Sequence, residues 1–315
     1  MGKRGPRRGS RSFWHRARAS RITPRVRSWP LALSGALGFP AFKAGMTQAL
    51  VVDDTPSPYK GQEVLWPVTI LEVPPIFVYA VTLWEKTPYG LKALAQVNSK
   101  AHPKQLSRSL TPTKKEKSLA DELTKFEGRV AQARLLCCTQ PWRIGLKKTP
   151  DVFEIALGGS VEEQLNSASN FIGKELNAKD VFAEGESVDA VAVTTGKGWQ
   201  GVVKRYGVAL NIRKATKSRR HGGSIGPERQ AKVMYTVPRA GQTGFHKRTE
   251  RAKRIVKISD DAKILPVFSH YGIVKGSFVA VKGSIPGPVK RFIMLRKELV
   301  PGVKVKAVEV KQLSV

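Results

Sequence analysis

Apolar and polar positions change their rhythm several times along this chain. From Gly35 to Asp53 the pattern reads as a pair of strands, with Gly45 at a bend. Val64 to Trp84 is dominated by Val, Ile, Phe, Tyr and Trp, and Pro67, Pro74 and Pro75 interrupt it. Three prolines and Glu72 exclude a membrane-spanning helix. The segment reads instead as two strands broken by turns, carried on to Glu85 and through Leu91–Asn98. From about Lys100 the spacing lengthens. Lys114 to Cys138 has no proline and places Leu119, Leu123, Phe126, Val130, Ala133 and Leu136 at intervals of three and four, which predicts one amphipathic helix. Thr113 is its expected N-cap, with Glu116 completing a capping box. Ser160 to Ser169 predicts a shorter helix, capped by Ser160 with Glu162 and Glu163 in its first turn.

Ser187 to Thr195 alternates as a strand. Further strands are expected at Ile264–Phe268, Phe278–Lys282 and Arg291–Leu295, separated by Gly276, Gly283 and Gly287-Pro288. Strands at both ends, interrupted by one helical insertion and one basic excursion, predict a mainly β fold. Its body is expected to be a β-barrel with an α/β insertion.

Charge sharpens this division. The 315 residues carry 55 Lys and Arg against 24 Asp and Glu, a net charge of +31. Residues 1–52 hold 11 basic residues and no acid, residues 53–189 are nearly neutral at −1, and residues 190–315 carry +21. A body this positive repels itself unless it sits beside a dense polyanion, and nucleic acid is the best candidate. An anionic membrane surface is the weaker alternative.

Met1 to Pro30 mixes nine arginines with Gly, Ser and Pro and has no apolar period. Alone in water it is expected to be disordered. Guanidinium groups suit bidentate phosphate contacts and base stacking. A solubilising tail or a targeting address remains the rival reading. Lys197 to Lys257 carries 17 basic residues and only Glu228 and Glu250 as acids, and Lys214 to His221 has no large apolar side chain. This predicts an irregular extension that leaves the body and threads into RNA, with a merely solvated loop as the alternative.

The sequence assembles no catalytic constellation. Gly196-Lys197-Gly198-Trp199-Gln200-Gly201 matches G-x-G-x-x-G after a predicted strand. A dinucleotide site needs a following helix and an acid about 20 residues on, whereas Lys214 and Lys217 occupy that region. The better reading is a turn that brings backbone close to RNA, with Lys197 for phosphate and Trp199 either stacking on a base or capping the core. The histidines show no metal spacing, and the two cysteines, Cys137 and Cys138, suit neither a disulfide framework nor zinc. Two reduced, buried thiols in a reducing cytoplasm are expected. The first 30 residues lack the apolar core of a secretory signal. No cofactor, no metal, no small-molecule substrate, no membrane and no enzyme activity are expected. An NAD-type oxidoreductase built on the glycine turn and a soluble nucleic-acid regulator or chaperone are the rivals.

Four blocks carry a resemblance. Gly38-Phe39-Pro40-Ala41-Phe42-Lys43-Ala44-Gly45-Met46-Thr47 resembles the opening motif of the L-three family of large-subunit ribosomal proteins, in its archaeal and eukaryotic branch. Thr195 to Gly207, with the glycine turn inside it, is similar to the start of that family's central extension. Arg239 to Glu250 is similar to its return strand, and Val281 to Pro288 to its closing turn. The blocks occur in the expected order and span nearly the whole chain. The size of the insertion and the absence of the long C-terminal addition of eukaryotic members point to an archaeal source.

The resemblance implies a translation-protein-like β-barrel with irregular basic N-terminal and central extensions. The expected divisions are 1–34 for the N-terminal extension, 35–99 for the first part of the barrel and 100–185 for the insertion. A barrel strand at 186–200, the central extension at 201–257 and the last part of the barrel at 258–315 complete them. The resemblance also implies primary binding near the 3′ end of 23S rRNA, nucleation of large-subunit assembly and contacts with neighbouring ribosomal proteins. Contacts to rRNA are expected at Arg4, Arg7, Arg8, Arg11, Trp14, Arg16, Arg18 and Lys43. In the central region they are expected at Lys197, Trp199, Lys204, Arg205, Arg213, Lys214, Lys217, Arg219, Arg220, His221, Arg229 and Lys232. Arg239, Gln242, His246, Lys247, Arg248 and Arg251 complete the set. The tip, Ile225-Gly226-Pro227-Glu228-Arg229-Gln230, is expected near the peptidyl transferase centre. Many relatives carry Trp where this chain has Glu228.

Overall fold

The computed structural model describes residues 16–111, 117–126, 128–214, 218–300 and 307–313. Arg4, Arg7, Arg8, Arg11, Trp14, Lys217, Thr113 and Glu116 lie outside the described residues. In chain order the elements are β1 (Gly35–Ala36), β2 (Gly38–Val52), β3 (Glu63–Glu72), β4 (Ile76–Thr87), β5 (Gly90–Asn98), α1 (Leu119–Lys125), β6 (Gln132–Thr139), β7 (Val152–Gly158), α2 (Val161–Phe171), β8 (Glu175–Leu176) and β9 (Ser187–Val193). There follow β10 (Gly196–Gln200), α3 (Val202–Tyr206), β11 (Gly241–Gly244), β12 (Lys247–Ser259), β13 (Phe278–Lys282), β14 (Phe292–Lys297) and β15 (Val310–Leu313). The fold is mainly β.

The chain divides into two compact units. The larger, here the body, comprises Arg21–Val193 and Arg248–Val315; the smaller, here the arm, comprises Met1–Ser20 and Thr194–Lys247.

The body holds two sheets. One runs in the order β14-β9-β12-β13-β3-β2-β15, and β14 also pairs with β2. The other runs β1-β7-β6-β4-β5, with β8 on β4. The expected boundary at residue 100 does not coincide with a sheet boundary, because β4 and β5 pair with each other and β4 pairs with β6. One apolar cluster draws on both sheets. Phe42 and Phe292 meet edge to face at 6.2 Å, and Phe153 lies 5.6 Å from Phe292. Each fully buried ring of this kind contributes about 1.5–3 kcal/mol.

The expected strand pair over Gly35–Asp53 is one long strand, β2, after a two-residue β1. Its register shifts between Lys43 and Gly45 where it pairs with β3. A side chain at Gly45 would overlap the Phe268 ring, so the bulge lets the backbone pass close to that ring.

The single helix expected over Lys114–Cys138 is two elements. α1 is capped by Ser118, whose side chain accepts from the Asp121 amide, and not by Thr113. Gly128, at φ +73°, follows it, and then comes β6. β6 lies between β4 and β7 and is buried almost throughout, so its near-continuous apolar run carries no period of two. Helical spacing was matched there by chance. α2 takes the predicted form: Ser160 and Glu163 complete a capping box. Its buried Gln164 accepts from the Ala133 amide of β6.

Two further expectations change. Ile264–Phe268 is not a strand. A 3-10 turn, Ala262–Ile264, is followed by an isolated bridge between Phe268 and Gly272. Residues 21–34 group with the body and not with an N-terminal extension. Trp29 is buried with Leu37 and Ala156, and the Arg296 guanidinium donates to the Ser28 carbonyl at 2.6 Å. No helix among the described residues is long and apolar enough to cross a membrane. Cys137 and Cys138 are buried and free; burial pushes both thiols up, Cys138 to about 12.

Candidate nucleic-acid interface

The arm is built from a short ribbon. β10 and β11 pair antiparallel, Gly196 opposite Gly244 and Trp199 opposite Gln242, with an irregular step between. The G-x-G-x-x-G match is therefore this strand itself. The following α3 has only five residues and ends at Gly207, which adopts the left-handed conformation. Among the described residues no crossover helix follows, and the dinucleotide reading falls. A side chain at Gly244 would strike the Thr195 carbonyl, so glycine there permits the close return of the chain.

Lys197 to Lys257 is thus not irregular throughout. Its first ten residues form β10 and α3, and its last eleven lie in β12. The irregular part is the stretch between α3 and β11, where, among the described residues, only the turn Glu228–Gln230 is regular.

Arginines tie this ribbon together through carbonyl groups. Arg205 donates through Nε to the Gln242 carbonyl at 3.1 Å and through Nη1 to that of Arg239 at 3.0 Å. The Arg16 guanidinium lies 4.4 Å from the Tyr206 ring centre, a cation–π contact, and donates to the Arg205 carbonyl at 3.1 Å. The Ala19 amide donates to the Phe245 carbonyl at 2.7 Å. His246 is buried; its Nδ1 lies 2.9 Å from the Ala17 carbonyl, which fixes the proton on that nitrogen. The segment around residues 16–20 is held against the ribbon by these bonds.

The expected RNA-contacting residues therefore divide. Lys197, Trp199, Lys204, Arg213, Lys214, Arg219, Arg220, His221, Arg229, Lys232 and Arg239 are exposed in the arm, as is Arg18. Trp199 is 77% exposed and does not cap the core. Arg18, Ser20, Gly196, Gly198, Gln242 and Phe245 line a shallow recess. Arg219 donates to the Asn211 carbonyl at 3.0 Å. Arg16, Arg205 and His246 form internal bonds of the arm, and the Gln242 amide donates to the Thr243 and Gly244 carbonyls.

In the body, Lys43 donates to the carbonyls of Ile285 at 2.6 Å and Gly287 at 3.2 Å. Burial lowers its pKa. Lys43 thus clasps the turn before β14. Arg248 and Arg251 are exposed on β12, as is Lys247 at its start.

Sequence reasoning missed the apolar part of this surface. Leu210, Ile212, Ile225, Val233, Met234 and Tyr235 are all exposed, between 45% and 82%. No residue of Thr194–Lys247 belongs to a hydrophobic core cluster among the described residues. Apolar side chains scattered without period through a dense run of cations were the available signal. Among the described residues no group of three or more His, Cys, Asp or Glu is arranged to hold a metal ion.

A family model described as Ribosomal protein L3 matches residues 1–314. The large ribosomal subunit protein uL3 of Methanococcus vannielii is 47% identical over 311 residues, covering 96% of this chain and 93% of that protein. The uL3 proteins of Methanothermobacter thermautotrophicus and Pyrobaculum arsenaticum are 44% and 45% identical, each over 308 residues. They cover 93% and 92% of this chain and 91% and 90% of their own lengths. The exposed cationic ribbon and the neutral-cored body thus belong to one known kind of chain: the protein is a member of the ribosomal protein L3 family.

Proposed function

We propose that the protein is a structural constituent of the large ribosomal subunit in the cytoplasm, a non-enzymatic component of the translation machinery that binds 23S rRNA and neighbouring ribosomal proteins. One observation carries this reading: in a unit with 19 Lys and Arg against a single acid, most of the described cations and the apolar residues Leu210, Ile212, Ile225, Val233, Met234 and Tyr235 are exposed, and none of the described residues belongs to a hydrophobic core cluster. Such a unit gains its binding energy from phosphate contacts, with counterion release as the driving term. Shape, 2′-hydroxyl contacts and stacking on residues such as Trp199 add recognition.

In the finer reading the protein is a primary binder near the 3′ end of 23S rRNA and nucleates assembly, with the tip Ile225–Gln230 reaching toward the peptidyl transferase centre. The exposed part of the arm, between α3 and β11, takes its final order on RNA. The pairing of β2 with β14 supports a closed, translation-protein-like barrel, with the sheet containing β6 and β7 as its α/β insertion.

Titrating salt against binding to large-subunit rRNA tests this. A steep fall of log affinity with log salt is expected; a nearly flat line overturns the reading. Sedimentation separates it from a chaperone acting off the ribosome, because a constituent travels with the large subunit after a moderate salt wash.

A further inference from the structure

Glu228 is the only carboxylate of the arm, against 19 cations. It is fully within solvent's reach on a single 3-10 turn, Glu228–Gln230. Pro227 opens the turn, and Ala231 closes it in the left-handed conformation at φ 52°. Among the described residues no ion pair joins Glu228 to the neighbouring Arg229 or to any other cation. The turn is nonetheless organised. The Gly226 amide lies 3.4 Å from Ser224 Oγ, and the Gln230 amide group contacts Met234 Sδ at 3.8 Å. Ile225 and Met234 flank it, 46% and 45% exposed.

A carboxylate only accepts hydrogen bonds. Phosphate oxygens and most of the RNA surface also only accept, so they repel it. The donors that RNA offers are 2′-hydroxyls, single amino N–H groups in the grooves of paired bases, and the full Watson–Crick edges of unpaired bases. Guanine is the base whose Watson–Crick edge presents two adjacent donors, N1–H and N2–H, spaced for the two oxygens of one carboxylate. Cytosine and adenine present one amino group beside an acceptor, and uracil one imino group between two carbonyls.

Resting on the RNA-binding reading above, we propose that Glu228 is a specificity-determining residue: its carboxylate accepts N1–H and N2–H of one unpaired guanine in ribosomal RNA. Ile225 and Met234 supply apolar surface against that base, and Arg229 is left for a phosphate.

The test compares the full chain with Glu228→Gln and Glu228→Ala on deproteinised large-subunit rRNA and on polyuridylate, with kethoxal reporting guanine N1 and N2. Glu228 is exposed, so the variants are expected to melt as the wild type does. The wild type is expected to protect a guanine that becomes reactive in both variants. Affinity for the rRNA is expected to fall about 5- to 150-fold in Glu228→Gln, the range of one good bidentate base contact. Affinity for polyuridylate is expected to hold or rise, since a repelled charge has gone. Plain repulsion predicts the opposite sign on rRNA. Equal or tighter binding of Glu228→Gln to both RNAs, or an unchanged set of protected guanines, overturns the proposal. A wild type with no preference for rRNA over polyuridylate would instead sink the ribosomal reading, before any variant is compared.

Discussion

The body and the arm use the same side chains for different ends. Over 241 residues the body carries 36 Lys and Arg against 23 acids; over 74 residues the arm carries 19 against one. In the body, arginines close on carboxylates: Arg254 on Asp54, Arg296 on Asp189, Arg134 on Glu154, Arg129 on Glu85. In the arm, Arg16, Arg205 and Arg219 donate to main-chain carbonyls. A carbonyl satisfies a guanidinium's hydrogen bonds without cancelling its charge. The arm therefore shapes its backbone while keeping its full positive field for a polyanion, whereas the body neutralises what it buries.

The largest expected effect breaks the body and spares the arm. Asp189 is fully buried, accepts from Arg296, and receives the Ala252 amide at 3.2 Å, where the chain is left-handed at φ 51°. Asp189→Ala leaves a buried guanidinium without its counter-charge, which costs about 3–5 kcal/mol. At about 2–4 °C per kcal/mol for a unit of this size, calorimetry without RNA should show melting lowered by roughly 6–20 °C. A drop of under about 2 °C would mean that water reaches the pair in solution. Below the new melting point, the salt slope of RNA binding is expected to match the wild type.

The converse variant, Arg219→Ala with Arg220→Ala, should leave the melt within about 0.5 kcal/mol of the wild type. Removing two phosphate contacts lowers the log–log salt slope by about 0.7–0.9 each, and lowers affinity on the order of tenfold each near 0.1 M salt. Loss of a cooperative melt in this variant would mean that the two arginines support the body.

What the sequence disclosed follows the same line. The arm was legible because charge is a sum and needs no geometry: the runs of cations, the glycine turn and the position of Glu228 all stand in the sequence. β3 and β4 were legible through their run of Val, Ile, Phe, Tyr and Trp broken by prolines. β6 was not, because burial on both faces erases alternation and leaves a run that helix spacing also fits. Nor could composition tell which arginines act inward. Arg16 and Arg205 look like Arg219 in sequence, and only the return of Arg239–Gln242 beside α3 turns Arg205 into a clasp. Trp29 was assigned to an extension by its basic neighbours, although it packs with Leu37 and Ala156.

A smaller effect sharpens the comparison within the body. Gly45→Ala puts a methyl group into the Phe268 ring, which is itself 7% exposed. Overpacking of this kind costs about 1–3 kcal/mol, and chemical denaturation should show a lower midpoint at unchanged slope. Gly207→Ala in the arm meets nothing within 4 Å and should not move that midpoint beyond the strain of its left-handed backbone, about 1 kcal/mol. Equal losses at the two positions would mean that the arm folds as one cooperative unit with the body.

The smallest effect is a matter of pH. Both Nη atoms of Arg254 donate to the Asp54 carboxylate, at 2.7 and 2.6 Å, and this hydrogen bonding holds the Asp54 pKa below its ordinary 3.8, with partial burial opposing it. A carboxylate whose pKa is lower folded than unfolded stabilises the fold above its unfolded value. That contribution disappears as pH falls through the folded value. The Asp54 carboxylate is about one-third exposed, so screening keeps the pair at or below about 1 kcal/mol. The wild type should therefore melt slightly higher than Asp54→Asn at neutral pH, and the gap should close as the pH drops below 3.8. A gap that persists in acid would show that Asn loses packing and not charge. The arm, with Glu228 its only acid, has no such pair to titrate, so Asp54→Asn should leave the pH dependence of RNA binding as it was.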